Sequence, residues 1–427
     1  MSHPHGRIGE HAARMLRQAN RIVTVMVLVE VLSSLALGAT ATALGWQAYG
    51  RERDPLVLGL LGLAEFIPAL LLALPAGHVI DRHDRRVVAG AGLVAAAAIA
   101  VALALDAAAG DTAVWPLYVL AFGWGVGNAF TGPALGPLLA AGIDAPDLAQ
   151  TFALVTSAGQ AAMVVGPALG GVTQSIGAPA PYLFAAAFCA AAAALLPFVP
   201  HRIGVAHVGE HEPRLADVLE GVRLIFRSRP LLGAISLDLM AVLFGGATAL
   251  LPVFARDILH VGATGNGILR AAPGVGAVVV GAFISARPLR RHVGGTLFTV
   301  VALFGAFTIV FGLSRNFVLS LLALAALAGA DMISMVVRST LSPLLTPPAV
   351  RGRVSAVERV FIGASNELGA FESGAAAALI GAVPAVVLGG AASIAIALVW
   401  AWRFPQLRRI DRFEELSPEP VAAAVDA

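Results

Sequence analysis

The chain has 427 residues, of which 58% are hydrophobic and 13% charged, with a mean hydropathy of +0.84. That balance excludes a water-soluble globule. Apolar runs such as 22–43, 87–105 and 383–400 are long enough to cross a hydrocarbon core of roughly 30 Å as helices, and the formal charge of +2 at pH 7 gives no reason to expect a nucleic-acid partner.

In chain order, Arg7, Arg14, Arg17 and Arg21 precede a first apolar run over 22–48. That run is too long for the apolar region of a cleavable signal, so it is expected to remain as a helix. Spans over 56–78, 87–106, 114–141, 148–176 and 180–199 complete a first set of six. A polar stretch over 201–229 follows, in which Leu215, Val218, Leu219, Val222 and Ile225 keep helical spacing opposite Asp217, Glu220 and Arg223, predicting an amphipathic joining helix. A second set lies over 230–255, 264–286, 294–313, 316–341, 354–381 and 383–402. The expected fold is an all-α membrane protein of twelve transmembrane helices in two six-helix bundles. The bundles cover 1–200 and 230–412, with a linker over 201–229 and a disordered tail over 413–427.

All 28 basic residues are arginine, and they cluster on one set of loops: around 82–86, 202–229, 287–291, 351–353 and 403–412. Loops on the other side carry Arg51 and Arg53 offset by Glu52 and Asp54, then Arg256 beside Asp257, then Arg315. By the positive-inside rule both termini are expected in the cytoplasm. Cys189 is the single cysteine, so no intramolecular disulfide can form, and the spacing of His201, His207 and His211 fits no metal site. No cofactor is expected.

The two sets repeat. A shift of 205 places Gly62 on Gly267, Pro68 on Pro273, and Arg82, Arg85 and Arg86 on Arg287, Arg290 and Arg291. Parallel six-helix repeats suit a protein that rocks one half against the other around a central cavity.

The loop after the second span reads Gly77-His-Val-Ile-Asp81-Arg82-His-Asp84-Arg85-Arg86. Gly77 permits close packing, and Asp81 offers a carboxylate to arginines or to a facing helix N-terminus, so the cluster can latch one seam. In the fifth span Gly166-Pro167-Ala-Leu-Gly170-Gly171 stands out, and Arg351, Arg353 and Glu358 open the eleventh. At these residues the chain resembles the major facilitator superfamily, whose loop reads G-x-x-x-D-R/K-x-G-x-R/K-R/K, with Asp84 here in place of the second glycine. The form D-R-x-D-R-R is similar to the branch that holds enterobactin exporters and macrolide efflux proteins. Gly166, Pro167, Gly170 and Gly171 are similar to the superfamily's antiporter motif, although Ala162 replaces its upstream glycine. The resemblance runs over about residues 15–405. It implies a twelve-helix, alternating-access exporter of a bulky, partly apolar small molecule, a drug or siderophore. Such a protein is driven by protons and works as a monomer in the bacterial cytoplasmic membrane. It also implies that Asp81 meets the start of the eleventh span near Arg351, Arg353 and Glu358. The embedded arginine that many proton-coupled drug exporters carry in helix four has no counterpart in 118–127.

Charges inside the spans are costly, about 2.5 to 3.5 kcal/mol on insertion scales, and so mark cavities or partners. Glu30 in the first span, Asp238 in the seventh and Asp331 in the tenth are candidates for proton coupling, with Arg338 seven residues beyond Asp331 on nearly the same face. A structural ion pair between Asp331 and Arg338 is the competing reading. Glu65 and Arg270, matched by the 205-residue shift, are candidates for an outer gate; Glu367, Glu372 and Asn128 are candidates for substrate contact. Trp46, Phe122, Trp124, Phe130, Phe244 and Phe361 are expected on cavity walls. An importer of the same architecture is the alternative. A membrane enzyme or scaffold ranks below both, since the sequence holds no phosphate loop, no H-E-x-x-H and no nucleophile with its base.

Overall fold

The computed structural model describes residues 5–110, 112–143, 145–200 and 215–416. They form α1 (His5–Arg51), α2 (Leu56–Arg82), α3 (Arg85–Ala109), α4 (Trp115–Gly142), α5 (Ala145–Gln174) and α6 (Ala180–Leu195), then α7 (Leu215–Arg227) and α8 (Arg229–Phe244). The chain continues through α9 (Gly262–Ala286), α10 (Val293–Leu313), α11 (Phe317–Leu345), α12 (Arg351–Ile380) and α13 (Ala382–Arg403). Among the described residues there is no strand, as expected where lipid leaves backbone groups no partner but the helix itself. Among the described residues ten candidate spans are long and apolar enough to cross a membrane; α4 and α12 fall outside that set, α12 because it carries Arg351, Arg353, Glu358, Glu367 and Glu372.

The chain divides into two units, the first of residues 1–47 and 64–210, the second of 48–63 and 211–427. The boundary differs from the expected 1–200 bundle because the end of α1 and the start of α2 group with unit 2. A methyl group on Gly59 would come within 2.8 Å of Phe371 Cα, and one on Gly374 within 3.0 Å of Gly59 N. At this end Tyr49 donates its hydroxyl to Asp257, which also pairs with Arg53 at 2.7 Å.

Within unit 1, α3 packs on α4 and α6. Ile22, Met26, Val29, Leu93, Leu138 and Leu196 form one core, and Ala36, Ala96, Ala100, Trp124, Ala185 and Cys189 another. Gln47 donates to Asp106 at 2.9 Å and accepts from the buried Tyr182 hydroxyl.

Within unit 2, α9 packs on α11, and α10 on α11 and α13. The expected span over 230–255 falls inside one candidate span, Arg229–Ile258, whose helix is irregular. α8 stops at Phe244, and the chain passes through Gly245 and Gly246, a 3₁₀ turn (Ala247–Leu250), one short turn with Pro252 and a π-helical turn (Phe254–Ile258). Neighbouring helices crowd the break: a methyl group on Gly246 would lie 2.5 Å from Gly369 O, and one on Gly389 only 2.1 Å from Phe244 O.

Residues 201–214 of the expected linker lie outside the described residues. Its amphipathic helix is α7, whose Ile225 is buried with Leu231 of α8 and Val354 and Val357 of α12. Of the tail expected to be disordered over 413–427, Phe413 and Leu416 instead pack partly against the unit 2 core, because Leu407 and Ile410 anchor the strap that leads to them; 417–427 lie outside the described residues. The strap also pairs with the loop before α10. Val293 N–H donates to Asp411 O at 3.2 Å, and His292 N–H donates to the Asp411 carboxylate at 2.9 Å. That backbone donor, with His292, Arg291 and Arg412 nearby, holds the Asp411 carboxyl below the usual carboxylate range.

Candidate functional site

α8 and α11 are pinned together by Leu237 and Ala241 against Val337 and Leu341, in a core shared with Val293 and Leu297 of α10. Beside that core three charges meet. Arg338 Nη1 lies 2.6 Å from Asp238 Oδ2, Nη2 lies 3.9 Å from Asp331 Oδ1, and Nε donates to Ser334 Oγ at 3.2 Å. The Asp238 and Arg338 side chains are 9% and 15% exposed, whereas Asp331 is 47% exposed. Asp331 and Arg338 therefore do approach each other, yet the tighter partner of the arginine is Asp238, one hundred residues away in sequence.

Asp238 and Arg338 form one end of a cavity of about 100 Å³ whose remaining wall comes from α8, α11 and α12. Ile235, Leu239, Met335, Phe361 and Ile362 make it apolar; Ser339, Ser342, Ser365 and Glu358 add polar points. On the other side of Asp238 a pocket of about 10 Å³, the room of one water, is lined by Asp331, Ser334 and Phe304. Sequence reasoning placed Glu358 with the latch residues and missed its place on this wall; its spacing of three residues from Phe361 on one helix face was the available signal.

The other candidates sit apart from this cluster. Glu30 of α1 lies against α5, where a methyl group on Gly159 would come within 2.7 Å of its Oε1, and no ion pair to Glu30 occurs among the described residues. Glu65 presents its backbone carbonyl to α4, which only Gly125 allows: a methyl there would lie 2.1 Å from Glu65 O. Glu367 covers Gly62 and feels the charge of Arg270. Glu372 neighbours Ser373 at 3.4 Å, and Asn128 is half-buried on α4. Of the expected wall aromatics Phe361 lines the cavity, but Trp124 is 3% exposed inside the unit 1 core among Ala96, Ala100 and Cys189, where an indole fills the space that alanines leave.

In the loop after α2, Gly77 has open space around it, and Asp81 and Arg82 are exposed while Arg85 and Arg86 are half-buried. Asp84 explains its own departure from the family pattern. It is the N-cap of α3, accepting from Arg86 N–H at 3.0 Å, and it also holds the Arg86 guanidinium at 2.7 Å, whose Nη1 reaches Val199 O at 2.6 Å. Restoring the glycine by Asp84→Gly removes both contacts. The expected result is a loss of about 1 kcal/mol in unfolding free energy in detergent, read from denaturant titration. In unit 2, Arg351 donates to Thr346 O at 3.1 Å, and Arg353 pairs with Glu220 of α7. In α5 the glycines of the antiporter-like motif face α1: a methyl on Gly166 would lie 3.0 Å from Leu35 O, and one on Gly170 2.7 Å from Ala39 O. Gly38 in turn faces Pro167, and Gly171 is buried.

Long apolar helices, small residues where they cross, and a shared arginine beside an apolar cavity define a multi-pass helical membrane protein with the parts of a solute carrier. The family model of the Major Facilitator Superfamily matches residues 26–357. An uncharacterized MFS-type transporter, y4rN of Sinorhizobium fredii, is 28% identical over 359 residues, 82% of this chain and 87% of its own. The enterobactin exporter EntS of Citrobacter koseri is 26% identical over 83% of this chain and 84% of its own. Among solved structures, the nucleoside transporter NupG superposes with a TM-score of 0.72 at 15% identity, covering 90% of this chain and 100% of that one. The chain belongs to the Major Facilitator Superfamily, a family of transporters and not of enzymes.

Proposed function

We propose that the protein is a proton-driven exporter of a bulky, partly apolar small molecule, a drug or siderophore, working by alternating access as a monomer. It sits in the bacterial cytoplasmic membrane with both termini in the cytoplasm. The observation that carries this reading is Arg338 held between Asp238 and Asp331 at the edge of an apolar cavity. A proton on Asp238 removes the charge that anchors Arg338 at 2.6 Å and lets the guanidinium swing to Asp331; loss of the proton restores the first pairing. Cavity shape and proton occupancy are thereby linked through one side chain. Export is favoured over import by the likeness to the enterobactin exporter and by the glycine-proline motif at 166–171. Asp81 and the start of α12 serve as the inner latch in this scheme, and Glu30 is a second coupling acid.

The test is efflux of siderophores and lipophilic drugs from vesicles with an imposed proton gradient. The wild type is expected to show gradient-dependent flux, and Asp238→Asn to lose at least about tenfold of it. Flux indifferent to the gradient overturns antiport, flux only in the inward direction favours the importer, and full flux in Asp238→Asn removes that residue from coupling.

A further inference from the structure

We infer that α7 is a docking helix for anionic phospholipid headgroups, with Arg223, Arg227 and Arg229 on lipid phosphates and the Phe226 ring sunk toward the acyl chains beside them. The chain itself holds this helix at the bilayer. Only Ser228 separates the end of α7 at Arg227 from Arg229, where the candidate membrane span Arg229–Ile258 begins. Even if α7 ran straight along the membrane normal, Arg223 would stand about 9 Å from Arg229, against a headgroup layer about 5 to 7 Å thick. An arginine side chain covers the difference.

The faces of α7 are unlike. Ile225 is buried against Leu231 of α8 and against Val354 and Val357 of α12, and Gly221 lets two backbones meet, since a methyl group there would lie 3.0 Å from Arg353 O. Glu220 is taken up by its ion pair with Arg353. Arg223 and Arg227, four residues apart, project opposite Ile225 with Phe226 beside them; all three are exposed, Phe226 to 63%. Among the described residues no acid pairs with Arg223, Arg227 or Arg229. Unpaired cations around one exposed aromatic ring match a surface of phosphates over hydrocarbon, where the charges meet anions and the ring leaves water. A soluble partner would have to enter the headgroup layer to cover that ring. Because the opposite face holds the first turn of α12 through Gly221 and Glu220, lipid bound to α7 also fixes where α12 starts.

The full chain in detergent, offered equimolar phosphatidylglycerol and phosphatidylcholine, tests this when the lipids it retains are read by native mass spectrometry. The anionic lipid is expected to be retained at least about fivefold over the zwitterionic one, and Arg223→Gln/Arg227→Gln to narrow that excess more than about threefold. Arg408→Gln/Arg409→Gln, which removes two exposed arginines from the strap after α13, is expected to narrow it less. A spin label on Phe226→Cys, in a Cys189→Ala background and in nanodiscs of phosphatidylglycerol, is expected to be reached by oxygen dissolved in the bilayer and shielded from a water-soluble nickel chelate. No preference between the lipids, an equal loss in the two double variants, or a label open to the chelate overturns the inference, the last giving this face to a soluble partner. The label is read with every arginine in place, so it decides the matter even if a charge variant fails to fold.

Discussion

Arg338→Met is expected to destabilise the protein by about 3 kcal/mol or more and to abolish transport, the largest single effect of any substitution in unit 2. The arginine is 15% exposed and faces two carboxylates, so its removal leaves Asp238, 9% exposed, without compensation in a low-dielectric setting. Asp238→Asn should cost less, because Arg338 can lean toward Asp331, already 3.9 Å away. Asp331→Asn should cost least, since that side chain is 47% exposed and its contact is the longer one. The double variant Asp238→Leu/Arg338→Met separates structure from function: a buried ion pair replaced by apolar side chains of similar size is close to neutral in stability, so the fold is expected to recover while gradient-dependent flux stays lost. Denaturant titration in detergent alongside vesicle flux measures both. A double variant with restored flux would reduce the cluster to a structural ion pair; a single Arg338→Met variant as stable as the wild type would remove the physical basis of the ordering.

The individual charges of this site stand out in the sequence because each interrupts an apolar run, and the seven-residue spacing of Asp331 and Arg338 puts them on one face of α11. What periodicity cannot express is that Asp238, on another helix, takes the arginine more tightly. That pairing follows from Leu237 and Ala241 meeting Val337 and Leu341, a match between two apolar stripes that are each compatible with many partners. The break after Phe244 was hidden for a related reason. Hydropathy counts Gly245 and Gly246 as apolar positions in a span, while a methyl on Gly245 would lie 2.4 Å from the Phe304 ring and one on Gly246 2.5 Å from Gly369 O. Trp124 shows the opposite failure. An aromatic residue among glycines reads as a wall for a ligand, yet the alanines of α3 and α6 leave a space that the indole closes. Asp84 was legible by the ordinary rule for helix starts and was obscured by comparison with a motif that has glycine at that place.

Gly170→Val is expected to cost several kcal/mol and to strip unit 1 of function, for a reason confined to α1 and α5. The first methyl group would come to 2.7 Å from Ala39 O and 2.8 Å from Ala39 Cα, and both obstructing atoms are backbone, so no rotamer change relieves the clash. The helices must separate, and the neighbouring contacts at Gly166 and at Gly38 against Pro167 loosen with them. Close approach between small residues is what holds helices together where lipid is as apolar as the side chains, so separation loses dispersion energy that nothing replaces. Gly295→Ala on α10 supplies the opposing case: its position is helical, the added methyl meets nothing within 4 Å, and the change is expected to stabilise by up to about 1 kcal/mol through helix propensity alone. Thermal unfolding of the two variants in the same detergent, with flux measured on each, checks the contrast. If Gly170→Val unfolded with the wild type, the crossing would not be a tight one and the glycine-proline motif would need another explanation. If the valine variant is instead destabilised while Gly295→Ala is not, the motif acts by letting one backbone lie against another, and the distance between α1 and α5 becomes the quantity that any change of state in unit 1 has to preserve.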